Sequence, residues 1–397
     1  MLTQSSLTPE THINRKRFWR ILAFFGVLAL IAGTAFFVKA GFVFNKISLG
    51  EGGLFENITK TLPGAEDELK GEKEGRINVL LLGMRGEGVV GGGLLADTIM
   101  VVSLHPKNGE DSSDTSKASI VSIPRDLYVK VPGRNEQRKI NAVYALGEER
   151  GRGEGLKDMR QIVGEVTGLD IPYGAVINFE GFKDLVDALG GITITLAEPF
   201  LESVQFLGTE QRCDGVMYTI PSGNYEVKRI QRKNGTYYAN PKRYPLCYAK
   251  IDPTKLECGG NFKLPAGENK LDGEKALCYA RARYTSSDFD RAKRQQIVID
   301  ALKAKALSIG TFTDFGKING LLDSLGDNVL VNLETWEMKR FFELYQQNSE
   351  ATIAHKVLEN SEEGLLYAPT ETKEAGYILL PRGDNYDRIR ALFQSLP

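Results

Sequence analysis

Three apolar runs follow one another closely in this chain: Ile77-Asn78-Val79-Leu80-Leu81-Leu82-Gly83, Asp97-Thr98-Ile99-Met100-Val101-Val102-Ser103-Leu104 and Ala118-Ser119-Ile120-Val121-Ser122-Ile123-Pro124. Each is short for a helix and too continuously apolar to leave one face in water, so each reads as a strand buried on both faces. Three such strands require a sheet that other elements cover on both sides. Helix patterns at 141–149, 156–166 and 181–189, interleaved with strand patterns at 173–178 and 192–196, supply the cover. The order predicts an α/β chain, an α-β-α layered domain around a central mixed sheet.

The N-terminal part follows different rules. No charge occurs from Ile21 to Val38. With Phe18 and Trp19 the run reaches roughly 30 Å as a helix, enough to cross a bilayer once. Arg15, Lys16, Arg17 and Arg20 precede it while Lys39 and Lys46 follow, which places the N-terminus inside and the rest outside. It is apolar all round, unlike a surface helix of a core, and long for a cleaved signal peptide, so it reads as a signal anchor in a bacterial plasma membrane. The expected organisation is a cytoplasmic N-terminus at 1–18, a transmembrane helix at 19–44, a Gly-, Glu- and Lys-rich linker at 45–75 and an extracytoplasmic domain at 76–397. A Tyr-, Lys-, Pro- and Gly-rich insertion interrupts that domain at about 198–265, and residues 311–397 read as its completion, since no linker separates Gly310 from Thr311.

With 50 Lys and Arg against 51 Asp and Glu, the chain has no basic excess, which argues against bulk nucleic-acid binding. Local clusters of arginine therefore carry information. Leu277 to Tyr284 reads as a strand, whose alternation puts Arg281 and Arg283 on one face, an unfavourable pairing without an anion between them. A helix is expected from Phe289 to about Leu307, capped by Asp288, with Arg291 and Gln295 four residues apart on one face near its N-terminus. A phosphate-rich ligand is the simplest counter-charge. Arg125 and Asp126 end the third strand, where ligand sites of sheet domains gather. Asp97 starts the second strand; it reads either as a turn aspartate or as a metal ligand or base. Lys139 precedes a helix start and on local grounds reads as an ordinary exposed lysine.

Cys213, Cys247 and Cys258 fall in the insertion, where one disulfide among them is expected outside the cell. Cys278 is expected to be a free buried thiol. No C-x-x-C spacing occurs and only three histidines exist, which disfavours zinc. Gly86-Glu87-Gly88-Val89-Val90-Gly91 matches G-x-G-x-x-G, but a strand follows it where a dinucleotide site needs a helix, and it lacks the Lys-Ser or Lys-Thr of a P-loop. It reads as a loop at the mouth of a site or as a bare surface turn.

Seven segments together resemble the LytR-CpsA-Psr family of bacterial cell-envelope proteins, from residue 76 to about 310 and on into the remainder. They are Ile77–Gly83, Ala96–Met100, Val121–Asp126, Lys139–Tyr144, Asn178–Phe182 with Val186–Gly191, Leu271–Leu277, and Tyr279–Arg283 with Asp288–Gln296. The resemblance implies a fold that holds a polyprenyl pyrophosphate with its tail in an apolar tunnel and its pyrophosphate on arginines and Mg²⁺. It implies an enzyme that transfers a glycopolymer phosphate from that lipid to peptidoglycan in cell-wall biogenesis; hydrolysis of the same lipid and non-catalytic envelope binding or regulation are the alternatives. By motif, the resemblance makes Arg125, Lys139, Arg281, Arg283, Arg291 and Gln295 the pyrophosphate ligands, with Asp97 and Asp288 serving Mg²⁺ or orienting the arginines. Asp97, Arg125 and Arg291 carry catalysis. Where many relatives have Gly-Thr-Asp or Gly-Ser-Asp after the first strand, this chain has Gly83-Met84-Arg85, so either Asp97 holds the metal with fewer protein ligands or Arg85 takes over some of the charge-neutralising role.

Overall fold

The computed structural model describes residues 68–87, 93–106, 117–202, 206, 209–213, 216–220, 225–228, 231–233, 235–236, 242–245, 257–260, 262–283, 286–308, 325–347, 352–369 and 376–397. The anchor expected at 19–44 lies outside them, as do most of the linker, Cys247 and the glycine-rich stretch 88–92. No helix among the described residues is long and apolar enough to cross a membrane.

Strands β1 (Ile77–Met84), β2 (Thr98–His105) and β3 (Lys117–Ser122) form the middle of a sheet. A short hairpin of β4 (Tyr128–Lys130) and β5 (Gln137–Lys139) leads into helices α1 (Asn141–Glu148) and α2 (Glu154–Thr167), and β6 (Tyr173–Asn178) then returns parallel to β1. Helix α3 (Phe179–Ala188) follows directly, then the antiparallel pair β7 (Ile192–Leu196) and β8 (Gly267–Leu271), with the insertion between them. Helices α4 (Gly273–Arg281) and α5 (Asp288–Ser308) complete this part. Next come β9 (Val329–Val331), α6 (Thr335–Gln347), β10 (Thr352–Val357) and α7 (Asp387–Ser395).

Among the described residues six strands make the central sheet, in the order β9-β6-β1-β2-β3-β10. β1 is antiparallel to β2 and parallel to β6, and β10 is parallel to β3, so the sheet is mixed as expected. Both outer strands come from beyond residue 311: β9 pairs with β6 and β10 with β3. The antiparallel β1–β2 pair also removes the dinucleotide-binding reading, which needs a parallel βαβ crossover.

Strand alternation divides the core. Leu80, Leu82, Ile99, Val101 and Val121 join a cluster with Val143, Leu156, Met159, Ile162 and Val163 of α1 and α2 and with Ile389 and Phe393 of α7. Each fully buried aliphatic side chain there contributes roughly 2 kcal/mol. The second layer has a core of its own, in which Val186, Ile192, Ile194, Leu271, Ala276, Tyr279 and Val298 tie α3, α4 and α5 to the β7–β8 pair.

Two expectations fail here. Residues 273–281 form helix α4, not a strand. Asp272 caps it by accepting from the Lys275 amide at 2.8 Å, and Glu274, Lys275, Ala276 and Leu277 behind that cap are strong helix formers, so the alternation that was to put Arg281 and Arg283 on one face does not exist. Cys278 is not a free thiol: α4 turns it toward the insertion, where it is disulfide-bonded to Cys258. Cys258, Glu274 and Cys278 lie close enough together to suggest a metal site, but the bond between the two sulfurs leaves no thiolates to bind one.

α4 meets α3 almost backbone to backbone. The Gly273 amide donates to Asp187 Oδ1 at 2.7 Å, and a Cβ on Gly273 would stand 2.4 Å from the Lys183 carbonyl oxygen. Gly273→Ala must therefore push the two helices apart, and a loss of about 2 kcal/mol is expected, read as a lower urea midpoint with an unchanged slope.

Candidate active site

The register of the sheet builds the site. Because β2 and β3 are antiparallel, the start of one lies beside the end of the other: Met100 faces Ser122, and the Ile123 amide continues the ladder to the Ile99 carbonyl at 2.9 Å. Asp97, just before β2, and Arg125, just after β3, thus meet at one end of the sheet, and Arg125 Nη1 donates to Asp97 Oδ1 at 2.7 Å. The N-terminus of α5 arrives at the same place. Asp288 lies 3.3 Å from Arg125 Nη2 and 3.2 Å from Arg291 Nη1, while Arg291 Nη2 donates to the Asp97 carbonyl oxygen at 3.2 Å. The result is an alternating set, Asp97–Arg125–Asp288–Arg291, around a polar pocket of about 260 Å³. The β4–β5 hairpin brings Lys139 to the edge of this set, where its Nζ donates to Asp126 Oδ1 at 2.7 Å.

The charges in the pocket are not evenly matched. Burial works against the charge on Arg125, but Asp97, Asp288 and Asp126 together outweigh it and hold the guanidinium above the ordinary arginine value. Arg291, only 8% exposed, is pulled below that value, chiefly by burial and also by Arg125 and Arg283, with Asp288 and Asp97 opposing. Arginine stays charged in proteins, so the shift is a measure of missing counter-charge rather than of deprotonation. Arg125 Nε makes no hydrogen bond but faces the Asp126 carboxylate at 3.6 Å. The under-compensated burial of Arg291 favours an incoming anion with several oxygens.

Beside the polar pocket lies an apolar one. The face of the sheet turned toward α3, α4 and α5 is not fully packed: a cavity of about 350 Å³ is lined by Leu81, Met100 and Ile177 of the sheet and by Phe182, Leu277, Ile299 and Leu302 of the helices. A further cavity of about 250 Å³ shares Leu81 and Ile299 with it and extends along the sheet toward Leu104 and Ile120. Thr98 and Gln295 line both the polar pocket and the larger apolar cavity. Arg281, at the end of α4, also lines that cavity, with its guanidinium 4.9 Å from the Phe179 ring centroid and 5.8 Å from that of Phe206.

Of the residues expected from the sequence, Asp97, Arg125, Asp288, Arg291 and Gln295 line one pocket. Arg283 borders it, 3.8 Å from Asp288, and Arg281 belongs to the apolar side. Arg85 lines neither. Asp288 is also not the helix cap. Ser287 Oγ accepts from the Asp290 amide at 3.1 Å, and the Asp290 carboxylate accepts from the Ser287 amide at 3.0 Å. This reciprocal box frees Asp288 to face the arginines. Gln296 went unnoticed in the sequence; it is buried and its Nε2 donates to Ser122 Oγ at 3.0 Å and to the Lys356 carbonyl at 2.9 Å, holding α5 against β3 and β10.

A model of the LytR_cpsA_psr family matches residues 55–379. Curated relatives include the polyisoprenyl-teichoic acid–peptidoglycan teichoic acid transferase TagU of Bacillus mycoides, 25% identical over 75% of this chain and 78% of that one. The TagU of Bacillus licheniformis is 24% identical over 87% of both. Among solved structures, Bacillus subtilis TagV shares the fold with a TM-score of 0.50 at 22% identity, over 80% of this chain and 96% of that one.

Arg294 is another residue whose part the sequence concealed. It follows Arg291 by three positions, yet it turns away from the pocket: it is 7% exposed, donates to the carbonyls of Tyr279 (3.2 Å) and Ala282 and to Ser286 Oγ (3.0 Å), and lies over the Phe200 ring at 5.2 Å. It thereby caps the C-terminal end of α4 and sets where Arg281 and Arg283 stand. Arg294→Ala is expected to cost roughly 3 kcal/mol in urea unfolding, since it strips two buried carbonyls and a hydroxyl of a charged donor. Arg294→Lys recovers little of it, because an ammonium cannot fork to three acceptors on a planar guanidinium's geometry.

Proposed function

This chain belongs to the LytR-CpsA-Psr family, and from that premise we propose that it transfers a glycopolymer phosphate from a polyprenyl-pyrophosphate carrier to peptidoglycan, forming a phosphodiester link. One observation carries the reading: an arginine-lined pocket and an apolar cavity share Thr98 and Gln295 as common wall. A ligand that fills both has an anionic head with several oxygens and a long hydrocarbon tail, which describes a polyprenyl pyrophosphate. The names of the relatives, transferases from a polyisoprenyl carrier to peptidoglycan, support the same reaction.

In the proposed reaction a hydroxyl oxygen of the acceptor attacks the phosphorus that bears the glycan. The bond from that phosphorus to the bridging oxygen breaks, polyprenyl phosphate leaves with the electron pair, and the hydroxyl proton passes to water. Negative charge grows on the bridging and equatorial oxygens, and Arg125 and Arg291 stand where guanidiniums would stabilise it. Arg125 is pre-oriented by Asp97 and Asp288, so it reorganises little as the charge moves. Arg281, Arg283, Lys139 and Gln295 add positive charge and donors around the head group. Arg85 lines neither the polar pocket nor the apolar cavity, and the reaction proposed here makes no use of it.

Mg²⁺ fits the donor set. The ion is commonly held by one or two carboxylates with phosphate oxygens completing its shell, and Asp97 and Asp288 both line the polar pocket. These two would hold it, and when bound it would neutralise charge on the pyrophosphate. The segment at 19–44, which carries no charge from Ile21 to Val38, is proposed to anchor the chain once in the membrane, with the catalytic domain on the outer side where the lipid and the wall meet.

The test is the full chain in detergent with a polyprenyl-pyrophosphate glycan and peptidoglycan oligomers, products being followed by mass spectrometry. A phosphodiester-linked glycan on the oligomer is expected, with Arg125→Ala lowering its rate by about 100-fold or more, the usual cost of one donor aimed at a developing oxyanion. Chelation is expected to stop turnover, and Asp97→Asn to raise the Mg²⁺ concentration needed to restore it. Glycan phosphate released to water would make the protein a hydrolase; lipid bound tightly and returned intact would make it a binding protein.

A further inference from the structure

One wall of the polar pocket has no task in holding a pyrophosphate. Val357, Tyr377 and Leu379 line the pocket, and none of them lines the apolar cavity. Tyr377 is 42% exposed, while the next two residues, Ile378 and Leu379, are buried at 5% and 1%. Packing of the segment thus falls on its neighbours and leaves the Tyr377 ring at the surface.

Its place is nevertheless well defined. The Leu379 amide donates to the Asp126 carbonyl and the Tyr128 amide donates to the Leu379 carbonyl, both at 2.9 Å, which ties the segment to the residues directly after Arg125. Asn360 Nδ2 donates to Tyr377 Oη at 3.1 Å and braces the ring from the loop after β10. The phenol is pushed above its usual value, first by burial and then by Asp126 and Asp288, so the ring is near enough to the pocket to feel its carboxylates. Since the hydroxyl accepts from Asn360, its own proton is available to a ligand.

A partly exposed aromatic ring in the pocket wall, with an amide and a phenolic donor at its edge, suits a pyranose, which has an apolar C–H face and polar hydroxyls at its rim. Two glycans take part in the reaction proposed above, and its geometry chooses between them. Attacking and leaving oxygens lie roughly in line on the phosphorus. The leaving polyprenyl phosphate belongs on the side shared with the apolar cavity, at Thr98 and Gln295, so the nucleophile enters from the side that shares nothing with it. We propose that Tyr377 and Asn360 form the subsite for a sugar ring of the acceptor, Tyr377 as its stacking platform, which deepens the transferase reading and rests on it.

The experiment uses the full chain in detergent with saturating donor and increasing lipid-free peptidoglycan oligosaccharide, together with saturation-transfer NMR of that oligosaccharide in the absence of donor. Tyr377→Ala is expected to raise the half-saturating acceptor concentration about tenfold, as loss of one well-placed aromatic anchor does. The half-saturating donor concentration is expected to stay put, and Tyr377→Phe, which keeps the ring, to recover most of the acceptor affinity. An unchanged acceptor requirement in Tyr377→Ala, or a shift in the donor requirement instead, overturns the inference while the transferase reading survives. Oligosaccharide that binds the wild type through Tyr377 without any transfer supports the subsite and sinks the transferase reading. A wild type that neither binds nor transfers sinks both.

Discussion

Arg125 is shared between two carboxylates that reach it from different layers of the fold. Asp97 belongs to the sheet and Asp288 to the helix that lies across its end, and both meet the same guanidinium. Breaking either contact leaves a largely buried charge under-compensated, at a cost of several kcal/mol in typical cases. That constraint sets the angle at which α5 approaches β2 and β3, and Gln296, about two turns further on, bonded to Ser122 and to the Lys356 carbonyl, keeps it there. Pocket and fold are in this sense one arrangement.

The central sheet separates two kinds of interior. On one side of the sheet, side chains from α1, α2 and α7 fill the space between layers. On the other side, α3, α4 and α5 find their packing mainly against the β7–β8 pair and the base of the insertion. Because that second core supports them from outside, the helices need not collapse onto the sheet, and an apolar cavity remains between. The Cys258–Cys278 disulfide and the Arg294 clamp both act on α4, whose end carries Arg281. A hollow layer of this kind accommodates a hydrocarbon chain without first displacing well-packed side chains.

Much of this was legible in the residues. Tyr173–Asn178 and Ile192–Leu196 are strands with the expected bounds, and the long helix after Asp288 runs as periodicity suggested. Apolar patterning is local and strong there, so a single sequence suffices. The Leu277–Tyr284 segment misled because its alternation of small, apolar and basic residues suits a strand as well as a helix, and only the Asp272 cap, with the Gly273 contact to α3, decides for the helix. Arg291 and Arg294 look equivalent as letters, yet one faces the pocket and the other the carbonyls of α4.

By itself the sequence determined the alternation of strands and helices, the central sheet, the family and which arginines and aspartates are candidates for a site. These follow from residue type and spacing along the chain. Only the tertiary structure decided which of them meet. The antiparallel register of β2 and β3 brings together Asp97 and Arg125, the placing of α5 adds Asp288 and Arg291, and the incomplete packing of one sheet face leaves the cavity beside them. Contacts between residues far apart in the chain depend on how layers dock, and no local pattern encodes that distance.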